Sequence, residues 1–166
     1  IFTEASNRGI LIVVSAGNSS IDVDKTPIIP ASYSDINNLI SVSATDNEDE
    51  MAFFSNYGFN TIHVAAPGYS IVSTLNNNMY GTLSGTSMAA PMVSGVAALL
   101  KAHLVLSAKK KKKRILETVD PKVHYYYKIK SHGRVNAENA FHNIISKPIH
   151  VPHEDEWVTI KDYPVV

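Results

Sequence analysis

Cysteine is absent from this 166-residue chain, which removes both a disulfide framework and any thiolate metal site. The compartment stays open on that count, because many secreted proteins also lack cysteine. Charge is missing over a long stretch as well: between Glu50 and Lys101 there is no Asp, Glu, Lys or Arg. That stretch is too rich in Gly, Asn, Ser and Pro to cross a membrane. Its lack of charge points instead to backbone and small side chains packed in a globular centre, and no membrane segment is expected in the chain. No signal peptide opens it. "IFTEASNRGILIVVSAGN" begins mid-pattern, a polar stretch of helical character feeding directly into an apolar strand, so the N-terminus reads as a cut boundary.

What is present fits a folded domain. Hydrophobic residues make up 45% and charged residues 18%, the balance of a globular protein rather than a disordered one, and the length allows one domain with a sizeable core. The net charge of zero hides an asymmetry. Residues 1–100 hold only Arg8 and Lys25 as bases against eight acids, whereas residues 101–166 hold thirteen bases against seven acids.

The order of elements indicates an α/β architecture. "GILIVVSAGN" is a β-branched apolar run ended by Ala-Gly-Asn, the form of a fully buried strand in a parallel sheet. "LISVSATD" (Leu39–Asp46) and "TIHVAAPG" (Thr61–Gly68) read as two further strands, the second closed by Pro-Gly. Tyr69–Leu75 and the region near Tyr80 predict a hairpin around "NNN". An uncharged helix follows from about Ser87 to Leu100, with large apolar residues around its whole axis, which predicts burial on most sides. "LSAKKKKKRILETV" predicts a helix capped by Ser107. "GRVNAENAFHNII" predicts a turn, a short extended piece and a last helix. Strands alternating with helices give a mainly parallel sheet. No internal repeat is found. Residues 144–166, with three prolines, an acidic cluster and the one tryptophan, read as a linker or the start of a further module, leaving 1–143 as the domain.

The most chemical stretch is "SGTSMAAPMVSGVAALL", Ser84 to Leu100. A serine before an apolar helix is ordinarily a cap. Here, however, Gly85 and Thr86 leave the backbone bare in front of Ser87, and a helix N-terminus offers free N–H groups and the positive end of a dipole. A serine attacking a carbonyl needs donors aimed at the oxyanion that develops. The Ser87 N–H supplies one, and the side-chain amide of Asn18 is the candidate for a second, because it ends a strand at the carboxyl side where α/β folds place ligands.

"VVSAGNSS", "PASYSDINNLISVSATD", "FSNYG", "VAAPG" and "SGTSMAAPMVSGVAALL" run in an order that resembles the second half of the catalytic domain of subtilisin-like serine proteases, the subtilases. The resemblance covers residues 1 to about 143. It implies a three-layer fold, of which only the C-terminal part is present, and a serine endopeptidase working through an acyl-enzyme. It implies Ser87 as nucleophile, Asn18 as side-chain donor to the oxyanion, and Thr86 as a hydroxyl supporting that hole. Ser15, Ala16 and Gly17, with Gly85, are implied as the substrate-binding backbone. Pro30 falls where the family often has a cis proline, and Ile28 falls near the floor of the primary specificity pocket, which hints at an apolar or small substrate side chain. A polypeptide substrate and secretion are further implications. The resemblance also leaves room for calcium in the full-length domain and for a propeptide inhibitor.

The chain departs from the family in three places. The Asp and His that complete the triad lie, in subtilases, in motifs resembling Asp-Thr-Gly and His-Gly-Thr upstream of the "AGN" strand. Neither motif occurs here, so both are expected on a missing upstream segment and the fragment alone is expected to be inactive. After Pro91 stands Met92 where the family usually has histidine, expected to alter packing behind Ser87. One turn before Ile115 and Leu116, core-facing positions are filled by Lys111 and Lys112, whose long stems can snorkel. Lys109–Arg114, six consecutive bases, could attract phosphate, but no aromatic interleaving accompanies them, and a solvated helix start without nucleic-acid partner is the expectation. "DVDK" and "NEDE" lack the alternating spacing of a calcium loop, so no metal ligand is assigned. The competing reading is a catalytically degenerate protease-like domain kept as a binding module.

Overall fold

A computed structural model describes residues 1–147, 150–153 and 156–159. A short helix, α1 (Phe2–Asn7), leads into β1 (Ile12–Ser15), β2 (Leu39–Thr45) and β3 (Val64–Pro67). An antiparallel hairpin follows, β4 (Ile71–Leu75) with β5 (Met79–Leu83), and then the long helix α2 (Thr86–His103) and α3 (Ala108–Glu117). The short strands β6 (Asp120–Pro121) and β7 (Gly133–Arg134) precede α4 (Ala137–His142), and β8 (His150–His153) pairs with β9 (Glu156–Thr159). Residues 148, 149, 154, 155 and 160–166 of the expected linker or further module lie outside the described residues.

The main sheet has the order β1-β2-β3-β7-β6. β1, β2, β3 and β7 run parallel, and only β6 is antiparallel to its neighbour. Every residue of β2 is buried, which its β-branched and small side chains permit on both faces. Ile40, Val42, Ala44, Val64 and Ala66 pack with Ala89, Val93, Val96 and Leu100 of α2 into one core, joined by Ile115 and Leu116 of α3 and Ala140 of α4. A second core joins Ala16, Val23, Ile62, Ala65, Tyr125 and Ile129. Loops and a 3-10 turn (Val123–Tyr125) supply its residues outside the sheet, so among the described residues this layer carries no long helix.

The local signals act as expected. Ser107 caps α3, its hydroxyl accepting from the Lys110 N–H, and Asn136 caps α4 in the same way through the Asn139 N–H. Asn77 and Asn78 both take left-handed dihedrals in the β4–β5 turn, which asparagine tolerates better than most residues. The Ile29–Pro30 bond is cis. Gly68, just after β3, is a close-approach glycine. A Cβ there would lie 2.6 Å from the Ala44 Cβ and 2.8 Å from the Gly85 carbonyl, and its own carbonyl accepts from the Gly85 N–H at 2.8 Å.

Two burial expectations are corrected. β1 is half-exposed along its whole length, because it is the edge strand of the sheet among the described residues. Helix α2 is buried on one side only. Thr86, Ala89, Val93, Val96, Ala97 and Leu100 face the core, while Pro91, Met92, Ser94, Gly95, Ala98 and Leu99 are exposed, and nothing lies within 4 Å of where a Gly95 Cβ would sit. The sheet lies under the helix and α3 and α4 beside it; the remaining face is uncovered among the described residues. Met92 is accordingly 39% exposed rather than packed behind Ser87.

His63, next to the start of β3, is held in the interior. Its Nδ1 lies 2.7 Å from the Ser41 hydroxyl and its Nε2 2.9 Å from the Lys112 ammonium. Burial, and then the charges of Lys112 and Lys130, lower its pKa from 6.5 to about 3. An unfolded chain takes up this proton near pH 6.5 while the folded one refuses it. His63 therefore withdraws up to about 1.4 kcal/mol of stability per pH unit as pH falls from 6.5 toward 3. Denaturant unfolding of the full-length protein at pH 7 and pH 4.5, with and without His63→Gln, checks this: the variant should lose less stability over that interval than the wild type.

Candidate active site

The end of β1 and the start of α2 meet through side chains. Asn18 lies three residues past β1, and its Oδ1 accepts two hydrogen bonds from one residue, the Thr86 N–H at 2.9 Å and the Thr86 hydroxyl at 2.8 Å. The same Thr86 oxygen accepts the Gly17 N–H at 3.0 Å. Thr86 is buried, so this exchange takes place out of water, where each bond counts for more. Its consequence is orientation: with Oδ1 turned to the helix, the Asn18 amide must present Nδ2 on the other side. A Cβ at Gly85 would stand 3.3 Å from that Nδ2 and 3.7 Å from the Ser87 nitrogen. Gly85 thus keeps bare the ground between two donors.

Ser87 is the second residue of the helix and is exposed. The N-cap position belongs to Gly85, which makes no side-chain cap, and the Thr86 N–H is satisfied by Asn18. Ser87 is therefore not a capping serine. Among the described residues its hydroxyl has no hydrogen-bond partner, and neither do its N–H and the Asn18 Nδ2. Helix termini leave their first N–H groups free for caps, water or ligands, and here the free group lies beside an exposed hydroxyl and a second, oriented donor.

The segment carrying Asn18 is fixed by a residue outside the set of candidate site residues. Asn56 is fully buried. Its Oδ1 accepts from the Ser19 N–H at 2.9 Å and the Ile21 N–H at 3.2 Å, and its Nδ2 donates to the Ala16 carbonyl at 2.9 Å. Gly17, at φ +99°, turns the chain here, and a Cβ on it would collide with the Asn56 amide at 2.5 Å. Only the quoted "FSNYG" hinted at Asn56, without its partners.

These bonds limit how Ala16 and Gly17 can meet a substrate. The Ala16 N–H goes to the Val42 carbonyl and the Gly17 carbonyl accepts from the Asn56 N–H. With the Gly17 N–H also engaged, neither residue has an N–H left to donate to a substrate strand, and together they stand as a wall. Ser15, half-buried, ends β1. Ile28 stands beside that wall, its Cδ1 3.8 Å from where a Gly17 Cβ would lie.

The histidines with described side chains are engaged elsewhere. His63 faces Ser41 and Lys112, and His124 the Asp49 carbonyl. His132 binds the Tyr126 carbonyl, with its pKa lowered by burial. The rings of His103 and His142 lie against Phe141. The carboxylates of the two acidic motifs are engaged structurally: Asp24 ties its loop to a distant one by accepting from the Asn60 and Thr61 N–H groups, and Asp46 holds its own loop by accepting from those of Glu48 and Glu50.

Comparison with known proteins gives a consistent picture. Residues 1–143 match the Subtilase family of peptidases. Thermitase of Thermoactinomyces vulgaris is 43% identical over 136 residues, 82% of this chain and 46% of that protein. The extracellular basic protease of Dichelobacter nodosus is 46% identical over 104 residues, 58% of this chain and 16% of the other. Among solved structures, the self-cleaved protease domain of PatA superposes with a TM-score of 0.69 at 28% identity, covering 84% of this chain and 51% of that one. The prenylagaramide maturation protease PagA gives 0.70 at 28% identity, covering 84% and 52%. The chain thus spans about half, or less than half, of the proteins it matches.

Replacing Asn56 by Ala leaves the Ser19 and Ile21 N–H groups and the Ala16 carbonyl without partners. The expected cost is about 2–4 kcal/mol of stability, read by denaturant unfolding of the full-length protein.

Proposed function

The chain belongs to the subtilase family, and on that premise we propose that the full-length protein is a serine endopeptidase, with Ser87 its nucleophile. The observation that carries this reading is the exposed, unbonded Ser87 hydroxyl beside two free donors, its own N–H and the Asn18 Nδ2. In the proposed reaction the Ser87 oxygen attacks the scissile carbonyl of a polypeptide. Negative charge develops on the carbonyl oxygen, and the two donors, already oriented, stabilise it without reorganising. Collapse expels the amine and leaves an acyl-enzyme, which water then hydrolyses. Thr86 acts by positioning: it holds the Asn18 oxygen away from the oxyanion, where its partial charge would oppose the reaction. Ile28 beside the Ala16–Gly17 wall favours an apolar primary side chain in the substrate.

The reaction needs a general base and a carboxylate to orient it. We place both on polypeptide outside this chain, since the five histidines with described side chains are committed to other contacts. The half-exposed edge strand β1 and the uncovered face of α2, next to Ser87, support this assignment, because they offer an open sheet edge and an apolar surface on which further chain would pack. The fragment by itself is then inactive. Export from the cell follows as a proposal from the family and from the extracellular relative.

A fluorophosphonate probe tests the reading on the native, full-length protein, with a heat-denatured control and peptide mass spectrometry to locate the adduct. Labelling at Ser87 in the native sample alone is expected. A mature, folded, uninhibited protein left unlabelled there would sink the enzyme reading in favour of a degenerate binding domain. In the active protein, Asn18→Leu should lower kcat roughly 10²–10³-fold with a much smaller change in KM, the loss known for a subtilisin when its oxyanion-hole asparagine is removed.

A further inference from the structure

β3 has two functional ends. Gly68, at its carboxyl end, touches Gly85 and the Ser87 site. At its amino end, beside His63, opens a cavity of about 430 Å³. The volume lies in the range of small-molecule sites. Four lysines line it: Lys109, Lys112 and Lys113 from α3, and Lys130 from the segment after the 3-10 turn, with His63 and Tyr33 completing the wall. The spacing of the first three, i, i+3 and i+4, sets them on one face of the helix. No Asp or Glu lines the cavity.

The neighbouring carboxylates leave most of this charge uncompensated. Glu117 pairs with Lys113 at 3.6 Å. Asp35, exposed on the adjoining loop, accepts from the Ser34 hydroxyl, and Asp24 is committed to Asn60 and Thr61. Among the described residues, Lys109, Lys112 and Lys130 have no carboxylate within ion-pair distance. Lys112 is half-buried, and among the described residues its one polar side-chain contact is His63. A neutral imidazole beside the ammonium does not cancel its charge. Burial, and then Lys130, push the Lys112 pKa down to about 8, a sign of a cation kept without a counter-ion. An exposed lysine face needs no explanation. Lysines from two elements converging on a concavity, one of them half-buried and none facing an acid inside it, do.

We propose that this cavity binds a small soluble polyanion, a polyphosphate or multiply phosphorylated ester, with Lys112 and Lys130 as its principal contacts. The site is separate from the Ser87 chemistry and stands whether or not the protein is a protease. Lysine suits the task as a compact point charge with three donors that can follow a phosphate group of any orientation. The concave shape selects a small ligand over a duplex backbone or a bilayer, which would need the lysines on a convex or flat surface.

Isothermal titration calorimetry of the full-length protein with inorganic tripolyphosphate, at constant ionic strength, tests this. The wild type should bind one equivalent. Lys112→Met, which keeps the apolar stem, and Lys130→Gln should each weaken binding about tenfold or more, the scale of a lost charge-assisted hydrogen bond. Lys101→Gln, which removes the same charge from the end of α2, should leave it within about twofold. Labelling of the wild type with pyridoxal phosphate and borohydride gives an answer that needs no variant: tripolyphosphate should protect the cavity lysines. Absence of saturable binding, equal weakening by Lys101→Gln, or labelling that tripolyphosphate does not prevent would each overturn the proposal.

Discussion

Everything chemical in this chain depends on how Thr86 holds Asn18. One residue donates both its N–H and its hydroxyl to one amide oxygen, and accepts the N–H of Gly17 in return. The start of a helix is thereby tied to the turn that follows a strand, although the two lie 68 residues apart in sequence. An amide group has two ends of opposite character, and a rotation by half a turn would exchange donor for acceptor. The two Thr86 donors remove that freedom. In the proposed reaction the cost of ordering the site is thereby met during folding, before a carbonyl arrives, which is the condition under which oriented dipoles lower a barrier.

A second constraint stands behind the first. Asn56 gathers the segment from Ala16 to Ile21 around its buried amide. Asn18 could not point at the helix if the turn carrying it were free to move, and Gly17 supplies the left-handed dihedral that brings the turn against Asn56. Core, loop and site are thus one hydrogen-bonded unit.

Much of this was legible in the sequence. Ser87, Gly85, Thr86 and Asn18 stand in motifs that resemble those of the subtilases, and the capping residues Ser107 and Asn136 act through neighbours three positions away. The Lys112 register was legible too, because helical periodicity puts it one turn below Leu116. What escaped was long-range. The partners of Asn56 lie up to 40 residues away, and no local pattern encodes them. The burial of β1 and α2 was overestimated for a related reason. An apolar run states what a segment can tolerate on each face, and only the rest of the fold decides whether each face is covered. The basic run is solvated at Lys109, Lys110 and Lys113, as its composition suggests; that Lys130, from another element, lines the same hollow is a long-range fact that no local pattern carries.

Gly68 sets a tolerance on the whole arrangement. Its missing methyl group is the gap through which the end of β3, the side chain of Ala44 and the carbonyl of Gly85 come together. The distance between sheet and helix is therefore gauged by a hydrogen atom, and any larger substituent would act as a shim under the first turn of α2. A displacement of a fraction of an ångström there would pass undiminished to Ser87, two residues beyond Gly85. The position least able to take part in chemistry is the one that calibrates it.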